Sequence, residues 1–163
     1  MIKVLFVCLG NICRSPMAEA IFRQKVKEAG FEDQIVVDSA GTGDWHIGNP
    51  PHHGTRRILD QYKISYEGIR ARQVAEDDFR DSRYIIVMDN QNMQDLKRFQ
   101  PKGLGEEAPF IGKMLDFASS AELKDVPDPY YTGNFEEVYE LLQDSCQGLL
   151  QFIIEREGLT ARS

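Results

Sequence analysis

Short apolar runs alternate along the chain with segments whose apolar side chains recur at helical spacing. The runs, rich in β-branched and aromatic residues, predict four buried strands, at residues 3–7, 34–38, 83–88 and, more weakly, 109–115. Helical spacing predicts five helices, at residues 18–29, 51–62, 75–82, 90–99 and 135–156. Asn134 is the predicted cap of the last helix, and Gly158 is its predicted stop.

Strands that alternate with helices predict an α/β fold, in which a parallel sheet carries helices on both faces. The chain has 163 residues without a visible repeat or linker, so we predict a single domain spanning residues 1–163. Ligands of such sheets bind at the carboxyl ends of the strands. Because Cys8, Ser39 and Asp89 each follow a predicted strand, we expect them on one rim. Asp89 fits a supporting residue of a site and a helix cap equally well.

The segment between the first strand and the first helix, residues 8–16, reads Cys-Leu-Gly-Asn-Ile-Cys-Arg-Ser-Pro. Ser15 and Pro16 fit an N-cap and a proline in the first helical turn. Backbone N–H groups and the positive end of the helix then converge on one point, which favours an anion such as phosphate. Gly10 and Asn11 tolerate the positive φ that such a curled loop needs. We therefore predict a phosphate-binding loop made of Leu9, Gly10, Asn11, Ile12 and Cys13.

Cys8 opens this loop and Arg14 closes it. A cysteine that faces amide dipoles and a guanidinium group loses its proton easily, and the guanidinium offers two parallel donors to phosphate oxygens. The pair predicts a thiolate nucleophile beneath a bound oxyanion. The alternative interpretation is a buried core cysteine and a surface arginine. The glycine, the asparagine and the flanking strand and helix favour the functional interpretation.

Two further segments supply candidates for the rest of a site. Residues 39–51, rich in glycine and proline, predict a long loop in which Trp45 either walls a slot or tucks against the core. Residues 126–133 predict a second loop, where Asp128 is placed to protonate a leaving oxygen. Tyr130 and Tyr131 in this loop are suited to wall a slot for an aromatic ring. Taken alone, Asp128 fits a solvated turn better, and the tyrosines fit ordinary surface packing.

Composition excludes several other classes of function. The net charge is −7, from 19 basic and 26 acidic residues, which disfavours binding of nucleic acid by bulk electrostatics. The sequence has no apolar run of membrane-spanning length and no signal-peptide pattern, and its three cysteines form no secreted framework, so we expect a cytoplasmic protein. His46, His52 and His53 are not placed to complete a metal site, and we expect His52 and His53 on a solvated surface.

The chain resembles the low-molecular-weight protein tyrosine phosphatases over essentially its whole length. The resemblance rests on the loop with Arg14-Ser15 and on the segment Asp128-Pro129-Tyr130-Tyr131. This segment begins 120 positions (128 minus 8) after Cys8. The resemblance implies a flavodoxin-like three-layer fold with a four-stranded parallel sheet flanked by helices. It implies hydrolysis of phosphotyrosine and other aryl phosphate monoesters through a phosphocysteine intermediate, without metal or cofactor. The implied partners are phosphotyrosine proteins or small aryl phosphates, with inorganic phosphate as product and neither nucleic acid nor membrane. We expect a monomer or weak homodimer.

The same resemblance implies roles for individual residues. Cys8 would be the nucleophile, and Arg14 would bind and stabilise the transferring phosphoryl group. Asp128 would be the general acid and then the general base for the hydrolytic water. Ser15 would donate a hydrogen bond to the Cys8 sulfur, and Asn11 would hold the shape of the loop. Ser39 would belong to the supporting hydrogen-bond network. Many animal members carry a histidine just before an Ala-Arg-Gln segment; residues 69–73, Ile-Arg-Ala-Arg-Gln, have none, so we expect the supporting network to differ.

Three alternatives share parts of this pattern. Thioredoxin-coupled arsenate reductases need further cysteines near the middle of the chain, and none lies between Cys13 and Cys146. Arginine phosphatases tend to carry threonine where this chain has Ile12, and they lack the paired tyrosines. A non-enzymatic phosphotyrosine-binding module would be expected to lose Cys8 or Asp128.

The other two cysteines, Cys13 and Cys146, differ in their predicted roles. Cys13 lies in the same loop as Cys8, five positions later. It is either a small hydrophobe beneath the loop or a thiol that traps peroxide-oxidised Cys8 as a disulfide. Cys146 lies on the apolar face of the last predicted helix, which indicates a core position.

Overall fold

The centre of the structure is a four-stranded sheet in which all strands run parallel. The computed structural model describes residues 1–120 and 122–161. The strand order is β2-β1-β3-β4, and the strands are β1 (Ile2–Cys8), β2 (Ile35–Gly41), β3 (Tyr84–Val87) and β4 (Phe110–Lys113). This is the flavodoxin-like order, so the predicted fold class is confirmed.

Helices connect and cover these strands. Their bounds are α1 (Arg14–Glu28), α2 (His53–Gln61), α3 (Glu76–Asp81), α4 (Asn90–Leu96), α5 (Pro129–Thr132) and α6 (Phe135–Glu157). The predicted ends of the last helix are confirmed: the Asn134 side chain accepts a hydrogen bond from the Glu137 N–H, and Gly158 follows with φ 64°. Within the described residues, no helix is both long and apolar enough to cross a membrane.

Strand β1 divides its side chains between two hydrophobic layers, as a strand buried on both faces does. Phe6 points to the layer that includes residues of α1, α2 and α6. Val7 points to the opposite layer, where Phe79 of α3 and Leu96 of α4 pack. Cys146 is fully buried in the first layer, as predicted.

The start of α1 differs from the sequence-based expectation. Cys13 occupies the N-cap position without a side-chain hydrogen bond, and Ser15 lies inside the helix. The prediction that Ser15 caps the helix is therefore wrong. Its hydroxyl instead contacts the Cys8 sulfur and accepts a hydrogen bond from the Asn11 amide. Pro16 does lie in the first turn.

Four other boundaries differ from those that the sequence predicts. β2 continues past Ser39 to Gly41, which pairs with Cys8, so Ser39 lies inside a strand. Residues 129–132, predicted as loop, form the short helix α5. α4 ends at Leu96, after which Lys97–Phe99 forms a single 3-10 turn. The predicted strand at 109–115 is shorter, since Met114–Phe117 is also a 3-10 turn.

Candidate active site

The loop of residues 9–13 lies at the carboxyl end of β1, the strand that β2 and β3 flank. In a doubly wound sheet this is the point where ligands bind, because the connections on its two sides diverge. Asn11 adopts φ 56°, the left-handed conformation expected for a residue in this curled loop. Gly10 serves a different purpose, since a Cβ atom there would lie 3.2 Å from the His46 ring.

Arg14 begins α1 and is 2% exposed. Its Nη1 donates to Asp89 Oδ2 at 2.6 Å and to the Val126 carbonyl at 2.9 Å. Its Nη2 lies 3.4 Å from Asp128 Oδ2. Burial by itself lowers the pKa of Arg14, but the nearby Cys8, Asp89 and Asp128 outweigh burial and raise this pKa overall. The guanidinium group is therefore a fixed positive charge.

Asp128 is held between Arg14 and the helix that follows it. One carboxylate oxygen, Oδ1, accepts from the Tyr130 N–H at 3.1 Å and caps α5, while the other faces Arg14. Its side chain is 24% exposed. The backbone just before it is anchored to the sheet, because the Val126 N–H donates to the Met88 carbonyl. Asp128 thus combines a fixed position with access to solvent.

Together these groups enclose a cavity of about 330 Å³. Its floor is formed by Cys8, Leu9, Gly10, Ile12, Cys13 and Arg14, and its walls by Trp45, His46, Asp128, Tyr130 and Tyr131. Trp45 is 68% exposed, so it stands at the wall rather than tucked against the core. Its ring lies against Gly43, where any Cβ atom would collide with it.

Asn11, Ser15 and Ser39 do not line the cavity but lie behind the loop. The Ser15 hydroxyl is 2.9 Å from the Cys8 sulfur. Asn11 Nδ2 donates to Ser15 Oγ at 2.8 Å and to Ser39 Oγ at 2.9 Å. All four side chains are buried, so the network is shielded from water and fixes the orientation of the Cys8 sulfur.

The two cysteines of the loop differ in their environment. Burial, helped by Cys8 and Asp128, raises the pKa of the Cys13 thiol to about 12. Cys13 therefore keeps its proton at neutral pH. Cys13 lines the cavity, and its carbonyl accepts a hydrogen bond from the Thr55 hydroxyl.

Several residues of this region escaped the sequence analysis. His46 lines the cavity next to Trp45, although its only signal in the sequence is that adjacency. His52, expected on a solvated surface, is half-buried: its N–H donates to the Ile12 carbonyl and its ring stacks on Phe135. Glu19 is buried and accepts from the Ser39 hydroxyl, which nothing in the local sequence indicates.

Within residues 1–120 and 122–161, no cluster of three or more His, Cys, Asp or Glu side chains is arranged to hold a metal ion. Cys8, Arg14 and Asp128 line the same cavity. A cysteine at the end of a strand, a curled loop that leads into the start of a helix and an adjacent buried arginine define a phosphatase of the cysteine-dependent class.

Comparison with known proteins gives the family. The family model described as low molecular weight phosphotyrosine protein phosphatase matches residues 3–159. The chain belongs to this family, which confirms the resemblance found in the sequence. Its activity is that of a hydrolase of phosphoric monoesters, with the phosphocysteine chemistry typical of the family.

Individual relatives cover nearly the whole chain. Low molecular weight protein-tyrosine-phosphatase YfkJ of Bacillus subtilis is 53% identical over 159 residues, which are 98% of this chain and 100% of the relative. The crystal structure of YfkJ matches with a TM-score of 0.89 over 96% of this chain and 97% of that chain. Low molecular weight protein-tyrosine-phosphatase PtpA of Staphylococcus epidermidis is 49% identical over 162 residues, 99% of this chain and 100% of the relative.

A more distant structure bears on specificity. The crystal structure of a Drosophila arginine phosphatase is 33% identical and has a TM-score of 0.83, over 93% of this chain and 97% of that chain. The same fold therefore occurs in a protein named for a different phosphorylated residue, so the substrate must be argued from the walls of the cavity.

Proposed function

We propose that Cys8, Arg14 and Asp128 carry out the hydrolysis of phosphotyrosine and other aryl phosphate monoesters in this chain. The observation that carries the assignment is that the three side chains line one cavity, with Arg14 in contact with Asp128. A nucleophile, an anion-binding group and a proton donor are thereby within reach of one phosphoryl group.

In the first step the Cys8 thiolate attacks phosphorus. The S–P bond forms as the bond between phosphorus and the aryl oxygen breaks, and Asp128 gives its proton to the departing phenolate. Arg14 and the loop N–H groups bind the equatorial oxygens, where charge accumulates. The Ser15 hydroxyl, 2.9 Å from the sulfur, donates to the thiolate and holds it in line.

In the second step water breaks the S–P bond. Asp128, now ionised, takes a proton from the water as its oxygen bonds to phosphorus, and the Cys8 thiolate leaves with the Ser15 hydrogen bond to support it. The product is inorganic phosphate, and the enzyme returns to its starting state. Asn11 and Ser39 hold the loop in shape through both steps.

The walls of the cavity favour an aromatic substrate. Trp45, Tyr130 and Tyr131 stand around the entrance, each more than half exposed. A phenyl ring can pack between such surfaces, whereas a phosphoserine side chain is too short to bring its phosphate to Cys8. Ile12, 8% exposed in the floor, adds apolar surface where arginine phosphatases tend to have threonine.

Broader properties follow the same proposal. We propose that residues 1–163 form a single domain that acts in the cytoplasm as a monomer or weak homodimer, on phosphotyrosine proteins or small aryl phosphates. The absence of a disulfide among the described cysteines, all three of which are buried and free, supports a reducing compartment. The cavity is complete within one chain, which supports activity as a monomer.

The test of the proposal is turnover of p-nitrophenyl phosphate and of a phosphotyrosine peptide by the purified protein. Cys8→Ser should abolish turnover of both and still bind inorganic phosphate, because the loop amides and Arg14 remain. Cys146→Ser is the matched control, because it makes the same exchange of sulfur for oxygen at a core cysteine that does not line the cavity. It should keep wild-type turnover. Turnover by Cys8→Ser, or faster turnover of a phosphoarginine peptide than of the phosphotyrosine peptide by wild type, would refute the proposal.

A further inference from the structure

Glu19 is a buried carboxylic acid for which the reaction described above has no role. It lies in the second turn of α1 and is 7% exposed. Its Oε1 accepts a hydrogen bond from the Ser39 hydroxyl at 2.7 Å. Among the ion pairs of the described residues, none involves Glu19. A buried carboxylate with a neutral partner is unfavourable, so its position calls for an explanation.

The hydrogen bonds of Asn11 assign it as the donor to both serines of the network. Asn11 Oδ1 accepts from the Arg72 N–H at 3.0 Å, which assigns the donor role to Nδ2. The two hydrogens of Nδ2 are both used, one on Ser15 Oγ and one on Ser39 Oγ. Each serine therefore accepts from Asn11 and must donate its own hydrogen away from it.

The hydroxyl groups of the two serines each contact an ionisable side chain, Cys8 in one case and Glu19 in the other. The Ser15 hydroxyl lies 2.9 Å from the Cys8 sulfur and donates to it when Cys8 is a thiolate, and Ser39 donates to Glu19 at 2.7 Å. The network is thus symmetric about Asn11, with the nucleophile at one end and the buried carboxyl at the other. Without an acceptor at Glu19, the Ser39 hydrogen has no defined partner inside the protein.

Charged groups from three parts of the fold shift the pKa of Glu19. Burial raises the pKa of Glu19 to about 7, and Asp38 of β2 adds to the increase. The hydrogen bond from Ser39, Arg23 of α1 and Arg72 act in the opposite direction. The carboxyl group thus ionises as the pH rises through neutrality and stays ionised above it. The carboxylate then accepts a charge-assisted hydrogen bond from Ser39.

We propose that Glu19 is a positioning residue of the phosphate-binding loop: its carboxylate holds the Ser39 hydrogen and thereby fixes the hydrogen-bond chain that orients the Cys8 sulfur. The proposal rests on the phosphatase function proposed above. When the carboxyl gains a proton, that proton can occupy an acceptor site on Ser39. The direction of the Ser39 hydroxyl is then no longer fixed, and the loop support loosens.

The test compares wild type with Glu19→Gln, which has the size of the protonated acid but cannot ionise. The substrate is 2,4-dinitrophenyl phosphate, whose leaving group needs no proton, so that kcat/KM reports on the loop rather than on Asp128. The ratio of wild-type to variant kcat/KM should increase by about threefold to tenfold between about pH 5.5 and about pH 8, which corresponds to loss of one hydrogen-bond contribution. Glu28→Gln, an exposed change on the same helix, should show a ratio near one at every pH.

Two further measurements separate positioning from packing. The rate at which iodoacetamide alkylates Cys8 should show the same pH-dependent ratio, which holds even if the protein turns over no aryl phosphate. Ser39→Ala should reproduce the loss, and the double variant should lose no more than either single one, because both act through one chain. A ratio that is constant with pH, or additive losses in the double variant, would overturn the proposal and leave Glu19 with a packing role.

Discussion

Arg14 and Asp89 form a close ion pair in which each partner has a second task. Arg14 Nη1 lies 2.6 Å from Asp89 Oδ2, while Asp89 Oδ1 accepts from the Asn92 N–H at 2.7 Å and caps α4. The sequence left open whether Asp89 supports a site or caps a helix, and the structure shows both. The end of β3 is therefore connected directly to the phosphate-binding loop.

Asp89→Ser separates these two tasks, because serine can cap the helix but cannot pair with a guanidinium group. We expect thermal stability close to wild type and a kcat/KM for p-nitrophenyl phosphate lower by about 10-fold to 100-fold, the value of a hydrogen bond to a charged group. Asp95→Ser, on the same helix and without contact to Arg14, is the control. An Asp89→Ser enzyme with full kcat/KM would show that Arg14 needs no such support.

Asp128→Asn should preserve the cap of α5 and remove the proton donor. We expect kcat/KM for phenyl phosphate to fall by about 10²-fold to 10⁴-fold, the usual contribution of a general acid. For 2,4-dinitrophenyl phosphate the loss should be much smaller, since that leaving group departs without a proton. Asp44→Asn, an exposed change beside Trp45, should affect neither substrate. Equal losses on both substrates would argue that Asp128 has another role.

The cavity walls predict the order aryl phosphate, then phosphoarginine, then phosphoserine in kcat/KM, with a large gap after the first. Trp45→Ala should lower kcat/KM for a phosphotyrosine peptide by about threefold to tenfold, the contribution of one aromatic contact. Leu123→Ala removes an exposed apolar side chain that does not line the cavity and should have no effect. Parallel losses on phosphotyrosine and phosphoserine peptides would contradict a ring-binding role for Trp45.

Glu19 should make stability depend on pH. Its folded-state pKa of about 7 lies above the ordinary value of 4.5, so the folded protein binds more protons than the unfolded chain between these values. Stability should therefore fall as pH rises through this window, by about 3 kcal/mol at about 1.4 kcal/mol per pKa unit. Urea denaturation at about pH 4.5 and about pH 8 should show this decrease in wild type and a smaller one in Glu19→Gln. Identical decreases in both proteins would assign the pH dependence to other groups.

Cys13 offers a test of redox protection. If Cys13 traps oxidised Cys8 as a disulfide, brief peroxide treatment followed by dithiothreitol should restore activity in wild type and much less in Cys13→Ser. The high pKa of Cys13 keeps it a thiol at rest, so it does not compete with Cys8 as a nucleophile. Cys146→Ser should recover like wild type. Equal recovery in Cys13→Ser would leave Cys13 with a packing role.

The sequence predicted the fold well because local signals agreed with tertiary packing. The apolar runs became β1 to β4, and Asn11 took the left-handed conformation that its position in the loop suggested. The contacts that support the loop could not be predicted from the sequence in the same way. Asp89 reaches Arg14 across 75 positions of sequence, and no pattern within a helix or strand encodes such a pair. No local signal in the sequence indicates that Glu19 is buried, yet the first turns of α1 are buried on every side.

The guanidinium group of Arg14 has consequences for the energetics of ligand binding. It contacts Asp128 through Nη2 and the Val126 carbonyl through Nη1, so the general acid and the anion-binding loop share one cation. A phosphate group in the loop and the Asp128 carboxylate would therefore face the same guanidinium group. A substitution that displaces Arg14 should disturb phosphate binding and the position of Asp128 together, so neither can be changed through this residue without the other.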